Sequence, residues 1–463
     1  LEEILALAKK AAEEAEVYMV TSEETPVHFE SNRLKNIQYK QSQSVALRVI
    51  KNGKIGYATS TTMDNAQELV DAAAATAEFG MKAEFEFPTA RTFPEVAVYD
   101  PDVEKVSLET MTRLGEELIA KITGYSAEVI CEGGVTKASS VLKIINSRGG
   151  QAGFKESVFG LGIEGQRIRG TDMLFVGDYE SSCHPVLKTD TVVKTTIRQL
   201  ELAKNTAKVT SKPMSVIFTP DGVTGSLVLP LISAFNGKTV LEGASPLGKK
   251  LGEKVFDKNL TLSDNPLIPY NTGSRPCDDE GVPCQVTALV TNGIIRNFLY
   301  DLQTAARAKT KSTGHGQRQG GLPAPSPHAF MIMPGNVSFE EMVKSIDEGI
   351  IVEQLLGAGQ GNMLGGDFSG NVLLGFKIEK GEIVGRVKDT MISGNVYQLL
   401  KEISALAVTP SGETVSLISR RFAAPMFPCP AGKRFSGRLF QFSFANSRRY
   451  FRDFRICIRI NLE

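Results

Sequence analysis

Three times in this chain a β-rich arm meets a tight two-residue turn and runs back. The segments are "SVALRVIKNGKIGYATS" around Asn52-Gly53, "TALVTNGIIRNFL" around Asn292-Gly293 and "GFKIEKGEIVGRV" around Lys380-Gly381. Asn-Gly suits a type I′ turn, whose twist matches that of the strands it joins. Hairpins at both ends of the chain require antiparallel sheet at both ends. The strand–helix alternation of a doubly wound sheet is absent, so the expected fold class is α+β. The chain is expected to contain an N-terminal α+β unit, a middle α+β unit and a C-terminal, mostly antiparallel β domain with a few helices.

The N-terminal unit is set at residues 1–98. "LEEILALAKKAAEEAE" places Leu1, Ile4, Leu5, Ala8 and Ala11 on one helical face and reads as a helix rather than a signal peptide. "EVYMV" follows as a strand, and Asp64 with Gln67 resembles a capping box opening a helix that ends near Gly80. Residues 81–101 hold three prolines and read as a linker. The middle unit, 99–211, has a helix from about Leu108 to Ile122, then short strands turned by glycines, then a helix through "TVVKTTIRQLELAKN". The C-terminal unit, 212–407, begins with a strand at Met214–Thr219, has a short helix capped by Ser338 and Glu341, and ends with the amphipathic "GNVYQLLKEISAL". Residues 408–463 form an atypical basic tail. From Ser419 onward it carries nine Arg and one Lys against Asp453 and Glu463, a balance of +8 that leaves −8 on the rest of the chain.

The whole chain has 52 basic and 52 acidic side chains, so no global field favours nucleic acid or an anionic membrane. Six cysteines in 463 residues are too few for a disulfide scaffold and suit a cytoplasmic protein. No apolar run reaches the roughly 18 residues of a membrane span.

Chemistry is sparse. Pro220 to Gly237, "PDGVTGSLVLPLISAFNG", follows a strand as an element should that presents a site. Beyond Asp221, however, it holds no His, Asp, Glu, Cys, Lys or Arg. Asp278, Asp279, Glu280 and Gly281 form the densest acidic cluster, which suits either a hard cation and acid–base work or a solvated turn with Gly281 left-handed. Ser312 to His328 has the glycine and proline content of a long mobile loop. Cys277 and Cys284, with His315 and His328, are the residues from which a zinc site would be drawn, though their spacing fits no zinc pattern. His184, before Pro185, reads as a turn residue.

Three blocks carry a family resemblance: "ALRVIKNGKIGYATST", "PCDDEGVPCQVTALVTNGIIRNFLYDLQTAARAKTKSTGHG" and "GDFSGNVLLGFKIEKGEIVGRVKDTMISGN". They resemble the TldD/PmbA family, also called modulators of DNA gyrase, up to about residue 406. The resemblance implies a zinc metallopeptidase fold that cuts partly unfolded peptides. TldD-type members carry an HExxxH zinc helix and a downstream cysteine ligand; PmbA (TldE)-type members lack both and partner the zinc subunit. Here the slot reads "VLPLIS", with Val228, Leu229 and Ser233 among its residues, and "GDFSGNVLLGF" has no cysteine. The chain thus resembles the PmbA type, with no catalytic or metal residue and no cofactor of its own, and with zinc expected in a TldD-type partner. Asp278, Asp279, Glu280, Gly281, Thr313, Gly314 and His315 become structural or substrate-lining candidates.

The implied assembly is a heterodimer with a TldD-type paralogue, or a homodimer, taking unfolded peptide, with no membrane and no nucleic acid. The alternatives are a stand-alone peptidase with an unrecognised site and a gyrase-associated binding protein. The tail departs from the family after "RFAAP"; it reads as a frame change contributing little to the fold, or as an added basic segment for an acidic partner.

Overall fold

The computed structural model describes residues 1–210, 212–407, 415–416 and 458–462. The first sheet contains β1 (Glu14–Glu30), β2 (Arg33–Ile37), β3 (Lys40–Lys51), β4 (Lys54–Ser60), β5 (Ile130–Asn146), β6 (Gln151–Arg169) and β7 (Asp172–Ser182). The order is β4-β3-β1-β5-β6-β7, with β2 beside β1. The boundary expected at residue 98 does not separate two sheets, because β1 pairs with β5 from Glu16↔Asn146 to Phe29↔Gly133. Alone, the first unit would leave one long edge of β1 unpaired; β5 closes it.

The short, glycine-turned strands expected in the middle unit are two strands of 17 and 19 residues. Their glycines lie inside the ladder. At Gly133 a Cβ would stand 2.5 Å from the Gly162 carbonyl oxygen, so the missing side chain permits close approach.

Helix α1 (Glu2–Ala11) and α2 (Ala66–Thr76) bury Ile4, Ala8, Leu69 and Val70 against Val17, Leu47 and Val49. The cap of α2 is Asn65, not Asp64; its side chain accepts from the Glu68 backbone N–H. The pairing has shifted by one residue, and the Asn65 amide also donates to Glu68 Oε2 at 2.9 Å. The expected linker is packed, with Phe87 fully buried and Pro88 O accepting from Asn146. Helices α3 (Pro101–Lys105), α4 (Leu108–Tyr125) and α5 (Asp190–Leu202) follow.

Beyond α5 the chain adds β8 (Thr206–Ala207), β9 (Met214–Phe218), β10 (Leu262–Asp264), β11 (Thr287–Thr291), β12 (Ile294–Ile295), β13 (Gly316–Gln317), β14 (Ala324–Pro325) and β15 (Phe330–Ile332). It continues with β16 (Glu348–Leu356), β17 (Asp367–Glu379), β18 (Glu382–Val387), β19 (Met391–Asn395), β20 (Ile403–Leu406), β21 (Val415–Ser416) and β22 (Ile458–Leu462). An eight-stranded sheet runs β20-β22-β9-β16-β17-β18-β8, with β19 beside β17; a smaller one runs β12-β11-β10-β15-β21. Pairing is antiparallel except at β16–β9 and β18–β8. Met111, Leu118 and Val192 of the helices share one core with Ile217, Ile351 and Phe376 of the eight-stranded sheet. Helices α4 and α5 therefore lie between the two large sheets.

All three expected turns have both central residues left-handed: Asn52 and Gly53 at φ 51° and 67°, Asn292 and Gly293 at 49° and 78°, Lys380 and Gly381 at 50° and 78°. These are type I′ signatures. Ser338 and Glu341 form the expected capping box. Of "GNVYQLLKEISAL" only Val396–Leu399 is helical; the rest turns into β20, because β22 offers it a ladder.

Most of the basic tail lies outside the described residues, but its end does not. Strand β22 pairs with β9 from Ile458↔Phe218 to Leu462↔Met214. The expectation of a tail that adds little to the fold fails for these five residues. The signal was present as an alternation of Ile456, Ile458, Ile460 and Leu462 among Arg, Cys and Asn.

Two glycines of α4 make a test of the packing. A Cβ on Gly115 would stand 2.1 Å from Phe29 Cε2, whereas one on Gly124 meets nothing within 4 Å. Gly115→Ala is expected to lose about 1–3 kcal/mol by overpacking, and Gly124→Ala to gain up to about 1 kcal/mol of helix propensity. Urea denaturation midpoints that shift in opposite directions are the expected result.

Candidate functional site

The segment from Pro220 to Phe235 forms three joined pieces: α6 (Pro220–Val223), a π-turn over Thr224–Val228, and α7 (Leu229–Phe235). Thr219 caps α6, with its hydroxyl accepting from Gly222 N. Gly222 lets this helix press on β16, since a Cβ there would stand 2.3 Å from Val352 O. Pro230 has no N–H to return to the preceding turn, which suits a locally widened helix. Val228 and Leu231 are buried, Ser233 is half-buried and Leu229 is 47% exposed. The Tyr397 hydroxyl lies 3.1 Å from both Pro230 O and Leu364 O, tying this helix to the glycine-rich segment after β16. Burial raises the Tyr397 hydroxyl to about 12, so it stays a donor. No imidazole, thiol or carboxylate stands in the Val228–Ser233 slot, and a zinc ion does not fit it.

The acidic turn is not solvated. Asp278 and Glu280 have no exposed surface and Asp279 has 4%. The turn lies on the first sheet, where a Cβ on Gly281 (φ 71°) would stand 3.5 Å from the Ala152 Cβ. Asp278 Oδ1 accepts from the backbone N–H groups of Glu280 and Val282, both at 2.9 Å, and Oδ2 from Gly316 N at 2.9 Å. Asp279 takes Arg275 Nη2 at 2.6 Å and the backbone N–H of Arg318 at 2.8 Å. Glu280 Oε1 takes Arg48 Nη1 at 2.6 Å, and Oε2 takes Leu302 N at 2.7 Å. Arg48 also pairs at 3.0 Å with Glu16, its register partner across β1 and β3, and Arg318 pairs with the same Glu16 oxygen.

Three buried guanidiniums thus meet the carboxylates of Glu16, Asp279 and Glu280, with Asp278 and Glu156 nearby. Among the described residues Arg48 Nε, Arg275 Nε and Nη1, and Arg318 Nη1 have no hydrogen-bond partner, but aromatic faces cover the cations. Arg48 lies 4.8 Å from the Phe85 centroid and 4.9 Å from Phe87, Arg275 lies 5.3 Å from Phe154, and Arg318 lies 4.9 Å from Tyr18. Burial works against the charge of Arg48, but Glu16 and Glu280 outweigh it and hold the guanidinium ionised. Burial pushes the Glu280 carboxyl up, with Asp301, Asp278 and Glu16 adding, but Arg48 opposes this, and both oxygens accept hydrogen bonds as those of an ionised carboxylate do. Burial likewise raises Glu156 to about 7 and Asp278 to about 6.

Next to this clasp, Cys284 Sγ lies 3.6 Å from His328 Nε2, and the His315 and His328 rings stack at 5.1 Å. Their nitrogens are committed elsewhere. His328 Nδ1 faces the Gln317 amide at 2.7 Å and its Nε2 faces Gly314 O at 2.7 Å, an arrangement that fixes the Nε2–H tautomer. Burial holds His328 well below the usual imidazole range, so it is neutral. His315 bridges Asp264 Oδ2 and the Thr313 hydroxyl, both at 2.9 Å. Thr313 also holds the Tyr300 backbone, and Gly314 (φ 73°) leaves space for Pro283 O. Burial pushes the Cys284 thiol well up, so it is no thiolate nucleophile. Among the described residues no three His, Cys, Asp or Glu side chains are placed to hold a metal ion. His184 faces Asp100 at 2.6 Å and stacks on Tyr270, away from both groups.

The loop expected to be mobile is therefore anchored at His315, Gln317 and His328, and the candidates from Asp278 to Gly281 and Thr313 to His315 come together as a buried joint. Side chains with no exposed surface in this chain, such as Asp278, Glu280 and His315, are not placed to touch a substrate. Sequence reasoning missed Glu16, Arg48, Arg275, Arg318 and Glu156. Glu16 and Arg48 carried a signal, a lone charge inside each of the apolar runs "AEVYMV" and "VALRVI".

Residues 15–77 match domain 1 of the PmbA/TldA metallopeptidases, and residues 211–426 match their C-terminal domain. A protein of Methanocaldococcus jannaschii described as uncharacterized is 28% identical over 409 residues, covering 87% of this chain and 93% of its own length. A protein of Methanothermobacter thermautotrophicus named as a metalloprotease is 25% identical over 418 residues, covering 85% and 88%. The crystal structure of TldE from Thermococcus kodakarensis is similar with a TM-score of 0.82 at 22% identity, covering 100% of this chain and 98% of that one. This last likeness carries the α+β fold.

The raised carboxylates give the joint a pH signature. Glu156 holds its proton in the folded chain at pH values where the unfolded chain has released it, so stability falls as pH rises from about 5 through about 7. This group contributes at most roughly 1.4 kcal/mol per pH unit across that window. Chemical denaturation at pH 5.5 and 8.5 is expected to show the loss. Glu156→Gln, which keeps the shape without the titrating proton, should flatten the slope.

Proposed function

The chain belongs to the TldD/PmbA metallopeptidase family, and from that premise we propose that it is the non-catalytic subunit of a cytoplasmic zinc metallopeptidase, supporting a zinc-bearing TldD-type paralogue that processes unfolded peptides. The observation that carries this reading is the Val228–Ser233 slot. The segment that the family resemblance places at the zinc helix of TldD-type members is here a capped, widened helix with Val228 and Leu231 in the core. Zinc requires nitrogen, thiolate or carboxylate ligands, and this helix supplies packing in their place.

Surface features support a partner. Leu229 is exposed on the slot helix itself, and Leu356 and Met391 are 54% and 66% exposed on either side of Asn371 across β16, β17 and β19. Exposed apolar side chains grouped on a sheet face suit a protein interface. For the substrate, β2 is exposed along its length and has only β1 beside it among the described strands, an edge that suits addition of an extended peptide.

Purified chain is expected to hold well under one zinc per chain by elemental analysis, and to cleave an unfolded peptide only when mixed with a TldD-type partner, in a chelator-sensitive way. About one tightly held zinc per chain, or chelator-insensitive cleavage by the chain alone, would overturn the proposal. Leu229→Glu changes an exposed residue, so its stability should stay within about 0.5 kcal/mol of the parent. Weaker assembly with the partner is the expected outcome, read by analytical ultracentrifugation.

A further inference from the structure

Strand β22 reaches its place from far along the chain. Residues 417–457 separate it from β21, yet it enters the eight-stranded sheet between β9 and β20. It runs antiparallel to both, in register with β9 at Ile458↔Phe218, Ile460↔Val216 and Leu462↔Met214. Strand β9 is interior on both faces: Val216 and Phe218 belong to one core and Ile217 to the other. Its opposite edge is taken by β16. Without β22, the free edge of β9 would present main-chain N–H and C=O groups to apolar surroundings, which native folds do not tolerate.

The gap is therefore a slot with definite demands. It takes an extended segment of about five residues, antiparallel to β9 and to β20. The segment from Ile458 to Leu462 meets them. The slot does not, however, specify which copy of the chain supplies that segment. A connection of roughly 40 residues reaches up to about 130 Å when extended, several times the ~23 Å radius of gyration expected for a domain of this length. Charge favours capture by any body within reach, because the tail carries +8 and the remainder of the chain −8.

We propose that the space between β9 and β20 is a strand-exchange site, in which the Ile458–Leu462 strand of one copy fills the slot of a second copy, in equilibrium with the closed single chain. Exchange makes no new kind of contact; it moves the same ladder from within one chain to between two.

Cross-linking of the full-length chain tests this. In a background with Cys429 and Cys457 replaced by Ser, one variant carries Met214→Cys, a second carries Leu462→Cys and a third carries both. Met214 and Leu462 are register partners, and such partners fall within disulfide reach. The third variant is expected to form the disulfide. An equimolar mixture of the first two, incubated below the melting temperature and then oxidised, is expected to give a covalent dimer containing one of each, its share rising several-fold over a tenfold rise in concentration. Met214→Cys mixed with Ile460→Cys, two residues out of register, should give at least fivefold less. A disulfide confined to single chains at every concentration would overturn the proposal. So would absence of any disulfide in the double variant, or equal yield from the mismatched pair, which would report collision and not a ladder.

Discussion

The ion pair between Arg48 and Glu280 joins a strand of the first sheet to a turn of the third unit at 2.6 Å, with both side chains out of solvent. Much of the architecture depends on it. Burying a guanidinium and a carboxylate is expensive, and the attraction between them offsets the cost only when further hydrogen bonds and good geometry are in place. Here Glu16 completes Arg48, Leu302 N completes Glu280, and the faces of Phe85 and Phe87 cover the cation. Each added partner comes from a different stretch of chain, so the group closes only when the first sheet, the segment after α2 and the third unit are in their final relation. An apolar contact of the same area would be less exacting about that relation.

A second buried polar link works on the other side of the first sheet. Gln199 of α5 accepts from Gly177 N of β7 at 2.7 Å and donates to Glu353 of β16 at 2.8 Å. A single amide thus fixes a strand, a helix and a strand of the next sheet in one line. This second link ties the eight-stranded sheet to the first, and the slot helix sits on the eight-stranded sheet through Gly222 and Val352. Within the slot Val228 and Leu231 belong to the core.

The acidic turn shows why local composition misleads. "DDEG" has the residues of a solvated turn, and Gly281 does adopt the left-handed conformation expected of it. What composition does not contain is the location of the cations. Arg48 lies 232 residues from Glu280, and Arg318 lies 302 residues from Glu16. The tail shows the reverse error: the alternation of Ile458, Ile460 and Leu462 is local and legible, but a run of Arg and Phe around it obscured a five-residue strand.

The sequence by itself determined the hairpins, the caps at Ser338 and Glu341, the α+β class and the apolar slot, because each depends on residues within a few positions of one another. Tertiary structure alone decided that residues 1–98 and 99–211 share a sheet, that the acidic turn is a buried joint, that His315 and His328 are held by Asp264, Gln317 and Gly314 and are not free to take a metal, and that the chain's end lies beside β9. These outcomes turn on which distant segments exclude water from one another. Burial, and with it the strength and sign of every electrostatic interaction at the joint, is a property of the assembled fold and not of any stretch of its sequence.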